Sequence, residues 1–247
     1  MKTSDDEYTI KKMNTLVAKI YKNFSKYSIE EVKGVCTGCC LSQKSIEEIL
    51  TVPLNELSWY AVYEYLDAAK DEAENLIVEA KYLLPRIIEL FTREYVRQPS
   101  EYTFQTCYFD RAEYWSEQEI EIVREFAGLH FKKVILEKDS KFTLDELIIM
   151  WQEAGLNIDF LFDIWAQAIN YQKAIDDYAS MLSFNFKELN YESAWITCAL
   201  AKQFTDWALS DEVFSNFSKK ILIAVEDIDS LDEYQLDSYE FVLSLND

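Results

Sequence analysis

Thr143 to Ile169 reads TLDELIIMWQEAGLNIDFLFDIWAQAI. Leu144, Leu147, Ile148 and Trp151 recur at helical spacing, as do Leu161, Phe162, Trp165 and Ile169 beyond them, so each set lines one face of a helix. Thr143 with Glu146 forms a capping pair for the first helix. Gly155 ends that helix and Asn157 caps the next, the pattern of a tight helical hairpin.

The same grammar extends along the chain. Ser or Thr followed three residues later by Glu recurs at Ser28/Glu31, Ser45/Glu48, Ser116/Glu119 and Ser230/Glu233. Ile120, Val123, Ala127, His130 and Val134 make another inward stripe, with His130 a core residue of it. Helices are expected at 5–27, 45–50, 56–70, 74–97, 108–114, 117–137, 143–154, 158–182, 188–209, 211–224 and 230–245, with a break or restart at Pro85 because proline removes a backbone donor. Segment 98–107 lacks periodicity and reads as a loop. No fixed repeat period is present. The fold class is therefore all-α, an irregular multi-helix array or bundle of about ten helices with no substantial sheet. Residues 1–247 suit a single helical domain; two lobes, should they exist, divide near 138–142. The tryptophans at 59, 115, 151, 165, 195 and 207 are expected in the core.

A chain of 247 residues buries roughly 70% of its extended surface on folding and needs neither disulfides nor a metal to do so. Its 24 Lys+Arg against 45 Asp+Glu leave a net charge of -21, which repels phosphate backbones and anionic membranes. Nucleic acid and membrane are excluded as partners on that ground. No apolar run approaches the roughly 18 residues of a membrane span, and MKTSDDEYTI is unlike a signal peptide, so a cytoplasmic location is expected.

A lone histidine, His130, removes chemistries that require two, and glycines at 34, 38, 128 and 155 spell neither a dinucleotide-binding nor a phosphate-binding loop. Of five cysteines, three stand together in Cys36-Thr37-Gly38-Cys39-Cys40. A two-residue spacer lets two thiolates reach one zinc, with Cys40 as a third ligand and Cys107, Cys198, His130 or a carboxylate as a fourth; packed thiols and thiolate chemistry are the competing readings. Gly34 and Gly38 are expected to supply turn freedom around them. Carboxylate neighbours such as Asp71/Glu72, Asp176/Asp177 and Asp159/Asp163 are abundant enough among 45 acids to arise without catalysis. Arg86 and Glu89 read as an ion pair in one helical turn.

Residues 226–247 carry eight acids and no Lys or Arg, interleaved with Tyr234, Leu236, Tyr239 and Phe241. A folded acidic helix with tyrosine anchors would steer a basic partner, and Asp227, Asp229, Asp232, Glu233, Tyr234, Asp237, Tyr239 and Glu240 are the candidate contacts. Without a catalytic kit, the expected function is a non-catalytic intracellular binding protein. Its most concrete form is an immunity-type inhibitor that neutralises a bacterial toxin, basic as nucleases often are. A helical scaffold or adaptor is one alternative; a zinc- or thiol-dependent enzyme centred on Cys36, Cys39 and Cys40 is the other. No cofactor is required by the first reading, and zinc is the one the third would use.

Overall fold

The structure is a computed structural model that describes residues 4–70, 73–93, 103–137, 140–187 and 198–245. These form α1 (Ser4–Phe24), α2 (Gln43–Thr51), α3 (Trp59–Asp67), α4 (Ala73–Thr92), α5 (Glu117–Leu136), α6 (Leu144–Glu153), α7 (Asp159–Gln167), α8 (Gln172–Lys187), α9 (Cys198–Ala208), α10 (Asp211–Ala224) and α11 (Glu233–Ser244). Short 3-10 turns occupy Leu54–Glu56, Gln105–Cys107 and Val225–Ser230. The fold is an all-α multi-helix array, and among the described residues the only extended pairing is an isolated bridge between Val35 and Lys70. No described helix is long and apolar enough to cross a membrane.

Two compact units divide the chain: Met1–His130 with Met150–Asn157, and Phe131–Ile149 with Ile158–Asp247. The division falls within α5 and α6, and residues 140–142 belong to the second unit. In the first unit Met13, Leu16, Ile20 and Phe24 give α1 a buried stripe at helical spacing. Trp151 stacks on Phe104 at 4.5 Å and is fully buried. His130 lies between Phe91 and Phe126, 1% exposed, the core position its stripe implied. In the second unit Tyr178 stacks on Phe217 at 4.1 Å, and Trp165 and Trp207 meet at 5.0 Å. Trp115, Trp151 and Trp165 are buried, Trp59 and Trp207 are half-buried, and Trp195 lies outside the described residues.

Several expected boundaries shift for identifiable reasons. α4 runs unbroken through Pro85; Leu83, Leu84, Ile87, Ile88 and Phe91 are all buried, so both halves of the helix pack into core, and this offsets the roughly 3 kcal/mol that an interior proline costs. The expected helix 158–182 is instead α7 and α8, turned at 168–171, where Ala168 and Tyr171 amides close turns and the Trp165 indole donates to the Ala174 carbonyl at 3.0 Å. Residues 108–114 form turns, not a helix: Tyr108 is left-handed (φ 47) and Phe109 N–H donates to Ala154 O at 2.8 Å. Gly155 does end α6, at φ +82, but α7 is flanked by Ile158 without a side-chain cap. Of the expected capping pairs, Ser116/Glu119 and Thr143/Glu146 are reciprocal as read. Ser42 caps α2 in place of Ser45, and Asp232 with Gln235 caps α11 in place of Ser230 with Glu233. Ser28 and Glu31 start no helix. The stretch 188–197 of the expected 188–209 helix lies outside the described residues.

Candidate functional site

Two groups of residues singled out by the sequence are brought to the surface, one in each unit. In the first unit the cysteine loop connects an extended segment to α2. Buried Glu79 of α4 accepts the amides of Lys33 (2.5 Å) and Gly34 (2.8 Å) and the hydroxyl of Tyr65 (2.9 Å), fixing the loop's entry. A Cβ on Gly34 would meet Glu79 Oε2 at 2.7 Å and the Leu76 backbone at 2.8 Å, so glycine is required here by close approach. Gly38 has nothing within 4 Å and neither glycine has a positive φ, so the turn does not use the backbone freedom expected of them. Cys36 N–H then donates to Ala69 O at 2.8 Å, and Leu41 N–H returns to Cys36 O at 3.2 Å. The exit is held by Ser42, whose hydroxyl donates to Glu64 at 2.7 Å while accepting the Ser45 amide at 3.2 Å. Ser45 and Tyr60 hydroxyls complete the shell of Glu64 at 2.5 and 2.6 Å, and these donors hold its carboxyl down at about 2.

Between those anchors Cys36 Sγ lies 3.5 Å from Cys39 Sγ, which lies 3.5 Å from Cys40 Sγ. All three sulfurs fall within 4.8 Å of one another. Cys36 is half-buried and Cys39 and Cys40 face solvent; none is in a disulfide. Amides of Cys39 and Gly38 donate to the Cys36 sulfur and bring its thiol down to about 7, whereas Cys39, beside Cys36 and Cys40, is pushed up to about 11. The amides thus favour ionisation at Cys36 over Cys39. Of the expected fourth ligands, Cys107 and His130 are buried in the core and not part of it, with burial pushing the Cys107 thiol up to about 12; the Cys198 side chain lies outside the described residues.

The second group lies on the second unit, along the end of α10, the Val225–Ser230 turn and α11. Asp227, Asp229, Asp232, Glu233, Asp237 and Glu240 are exposed, with Tyr234 62% exposed among them. Asp232 also accepts the Gln235 amide at 2.8 Å, so part of its capacity caps the helix. Tyr239, expected as an interface anchor, is a core residue at 0% exposure: its hydroxyl donates to Asp176 at 2.5 Å and accepts from Gln172 at 2.7 Å. Ser238 and Val242 are buried beside it in sequence, giving α11 an inward face against α8. Tyr234, one turn before Ser238, borders the same α8 side: it is largely exposed, yet its hydroxyl lies 2.6 Å from that of Ser180 of α8. Three aliphatic side chains that sequence reading overlooked stand out in the same stretch: Leu222, Ile223 and Ile228 are 55%, 61% and 55% exposed. The apolar spacing does not mark them, since adjacent apolar pairs such as Leu83/Leu84 and Ile87/Ile88 are buried together in this same chain.

Among the described carboxylate neighbours, Asp176, Asp177 and Asp159 each have hydrogen-bond partners of their own. Asp176 takes Tyr239 and Gln172, while Asp177 takes the Leu144 amide at 3.0 Å and Lys173 at 2.9 Å. Asp159 is held by Gln203 at 2.9 Å, and Asp71/Glu72 lie outside the described residues. Comparison with family models, with curated proteins and with solved structures finds no match.

Proposed function

We propose that this chain is a non-catalytic binding protein that receives a basic protein partner on its C-terminal helices, an immunity-type inhibitor of a basic toxin being the most specific form of that reading, acting in the cytosol. The observation that carries it is the company kept by Leu222, Ile223 and Ile228, each more than half exposed in a stretch, 221–247, that holds exposed acids and no Lys or Arg. Apolar side chains among charges of one sign suit a partner that supplies both apolar contact and the opposite charge. The acids steer the encounter, and the aliphatics with Tyr234 provide surface to bury once it has happened.

The test uses two variants of the full chain against a basic protein recovered in complex with it. Replacing Leu222, Ile223 and Ile228 by Ser is expected to speed dissociation; replacing Asp227, Asp229 and Glu233 by their amides is expected to slow association and flatten its salt dependence. All six side chains are exposed, so neither set disturbs the core. A complex indifferent to both sets, or no complex with any basic partner at micromolar concentration, overturns the proposal.

A further inference from the structure

The cysteine loop of the first unit is organised before any ligand arrives. Glu79 clamps its entry through two amides, and Ser42 with Glu64 clamps its exit. The sulfurs between these clamps are already at ligand spacing. In a tetrahedral zinc-thiolate site with Zn–S near 2.3 Å, neighbouring sulfurs stand about 3.8 Å apart. Cys36–Cys39 and Cys39–Cys40, each at 3.5 Å, need to open by only a few tenths of an ångström to reach that spacing. Cys36 and Cys40 lie within 4.8 Å, so that pair needs to approach by no more than about 1 Å to reach the same spacing.

We propose that Cys36, Cys39 and Cys40 form an open three-thiolate site for a thiophilic divalent cation, zinc(II) first among them, with the fourth coordination position left to water or to a ligand brought from outside. Structural zinc sites are closed by four protein ligands. Here, among the described residues, the group contains no fourth Cys, His, Asp or Glu atom, and the carboxylate of Glu64 is already committed to Ser42, Ser45 and Tyr60. The metal is therefore an accessible, exchangeable one and not a staple for the fold. On binding, each S–H bond that breaks gives its proton to solvent as a metal–sulfur bond forms, and no electron changes hands.

The test begins with the reduced full-length chain, kept reduced by a phosphine that carries no thiol, and titrated with cobalt(II) as a spectroscopic stand-in. Thiolate-to-cobalt charge-transfer and tetrahedral d–d bands that saturate at a single equivalent, and that zinc(II) then abolishes, are expected. Native mass spectrometry should show one retained zinc. Cys36→Ser, Cys39→Ser and Cys40→Ser should each weaken zinc binding by more than the roughly 10- to 100-fold that losing an outer-shell partner costs. Cys107→Ala should leave affinity unchanged, and the far-UV circular dichroism of the wild type should be the same with and without metal. Absence of charge-transfer bands, or affinity that survives replacement of all three cysteines, overturns the proposal. Should a serine variant fail to fold, X-ray absorption of the zinc-loaded wild type decides: three sulfurs and one lighter scatterer are expected, and fewer sulfurs refute the site.

Discussion

Lys81→Met probes the strongest polar arrangement in the first unit. The Lys81 and Glu119 side chains are 8% and 4% exposed and stand 3.1 Å apart. The Lys81 ammonium also donates to the Tyr114 carbonyl and to the Tyr27 hydroxyl (3.0 Å), and lies 4.7 Å from the centres of the Tyr27 and Trp115 rings. Glu119 accepts the Ser116 amide at 3.0 Å, the Tyr27 hydroxyl and the partly exposed Lys26 at 3.0 Å. Methionine keeps the stem and removes the charge. Breaking one side of a buried pair costs about 3–5 kcal/mol. Glu119 retains Lys26, Tyr27 and its amide, which argues for the lower end; the Tyr114 carbonyl loses its donor, which argues against anything smaller. The expected loss is about 3 kcal/mol, a fall in Tm of roughly 10 °C for a chain of this length. Urea denaturation of wild type, Lys81→Met, Glu119→Gln and the double variant supplies the cycle. Glutamine still serves the capping box, so the double variant should be more stable than Lys81→Met alone, with a coupling above about 1 kcal/mol. The pH dependence is a second check. Burial works against the Glu119 charge, but its hydrogen bonds prevail and hold the carboxyl at about 2. A depressed acid adds stability above its unfolded value, 4.5, and loses it as pH falls toward 2. The Lys81→Met deficit should thus shrink on acidification. A deficit under 1 kcal/mol, or one that is flat from neutral pH to pH 3, refutes the reasoning.

Other outcomes follow from single contacts. Gly34→Ala should destabilise by about 1–3 kcal/mol because its methyl meets α4 backbone, whereas Gly38→Ala, in open space, should stay within about 0.5 kcal/mol of wild type by the same denaturation assay. Burial pushes the Asp177 carboxyl up to about 6 against the opposing pull of Lys173. The folded state therefore holds that proton more tightly than the unfolded chain, and the stability of wild type relative to Asp177→Asn should fall as pH rises from about 4 to 6, by up to about 3 kcal/mol; a difference that rises or stays level over that window contradicts the assignment. Iodoacetamide mapping should label Cys36 before Cys39, with a rate half-maximal near pH 7. Labelling of Cys39 first would show that the loop amides do not face the Cys36 sulfur.

Helix after helix could be read from the chain because apolar spacing reports which face is buried whatever lies opposite it. Where the reading went astray, the deciding term was not local. Pro85 carries a local penalty that a residue-by-residue reading must charge in full; the burial of Leu84, Ile87 and Ile88 that outweighs it belongs to the packed state. Between α7 and α8 the apolar period continues from Trp165 into Ala174, Ile175 and Tyr178 without Gly or Pro, so the turn at 168–171 leaves no mark in composition. Caps slipped by two or three residues because Ser42, Ser45, Ser230 and Asp232 all carry a short oxygen acceptor, and only backbone geometry chooses among them. The cysteine cluster was visible as spacing, whereas Glu79, which holds the loop from 45 residues away, was one acid among 45. Tyr234 and Tyr239 looked alike among acids, and packing separates them: Tyr239 is buried against Gln172 and Asp176 of α8, whereas Tyr234, in the first turn of α11, touches Ser180 of α8 with its hydroxyl and stays largely exposed.

The same residue type does opposite work in the two places, and that bears on what the charge of -21 can do. Buried or half-buried acids are spent internally: Glu119 against Lys81, Glu89 against Arg86 at 2.7 Å, Asp177 against Lys173, and Glu79 on two amides and a hydroxyl. Each of the three ion-paired acids has a cation beside it, and Glu119 and Glu89 have a second in Lys26 and Arg93, so these clusters consume none of the acidic excess. The excess is thereby left to solvated carboxylates such as those of α11 and the turn before it, where a Debye length near 8 Å at physiological salt still lets neighbouring charges add. An acidic surface built this way gains its encounter rate from many weakly held charges and not from one well-placed pair, so single charge removals on α11 should each change association only slightly while the salt dependence reports their sum.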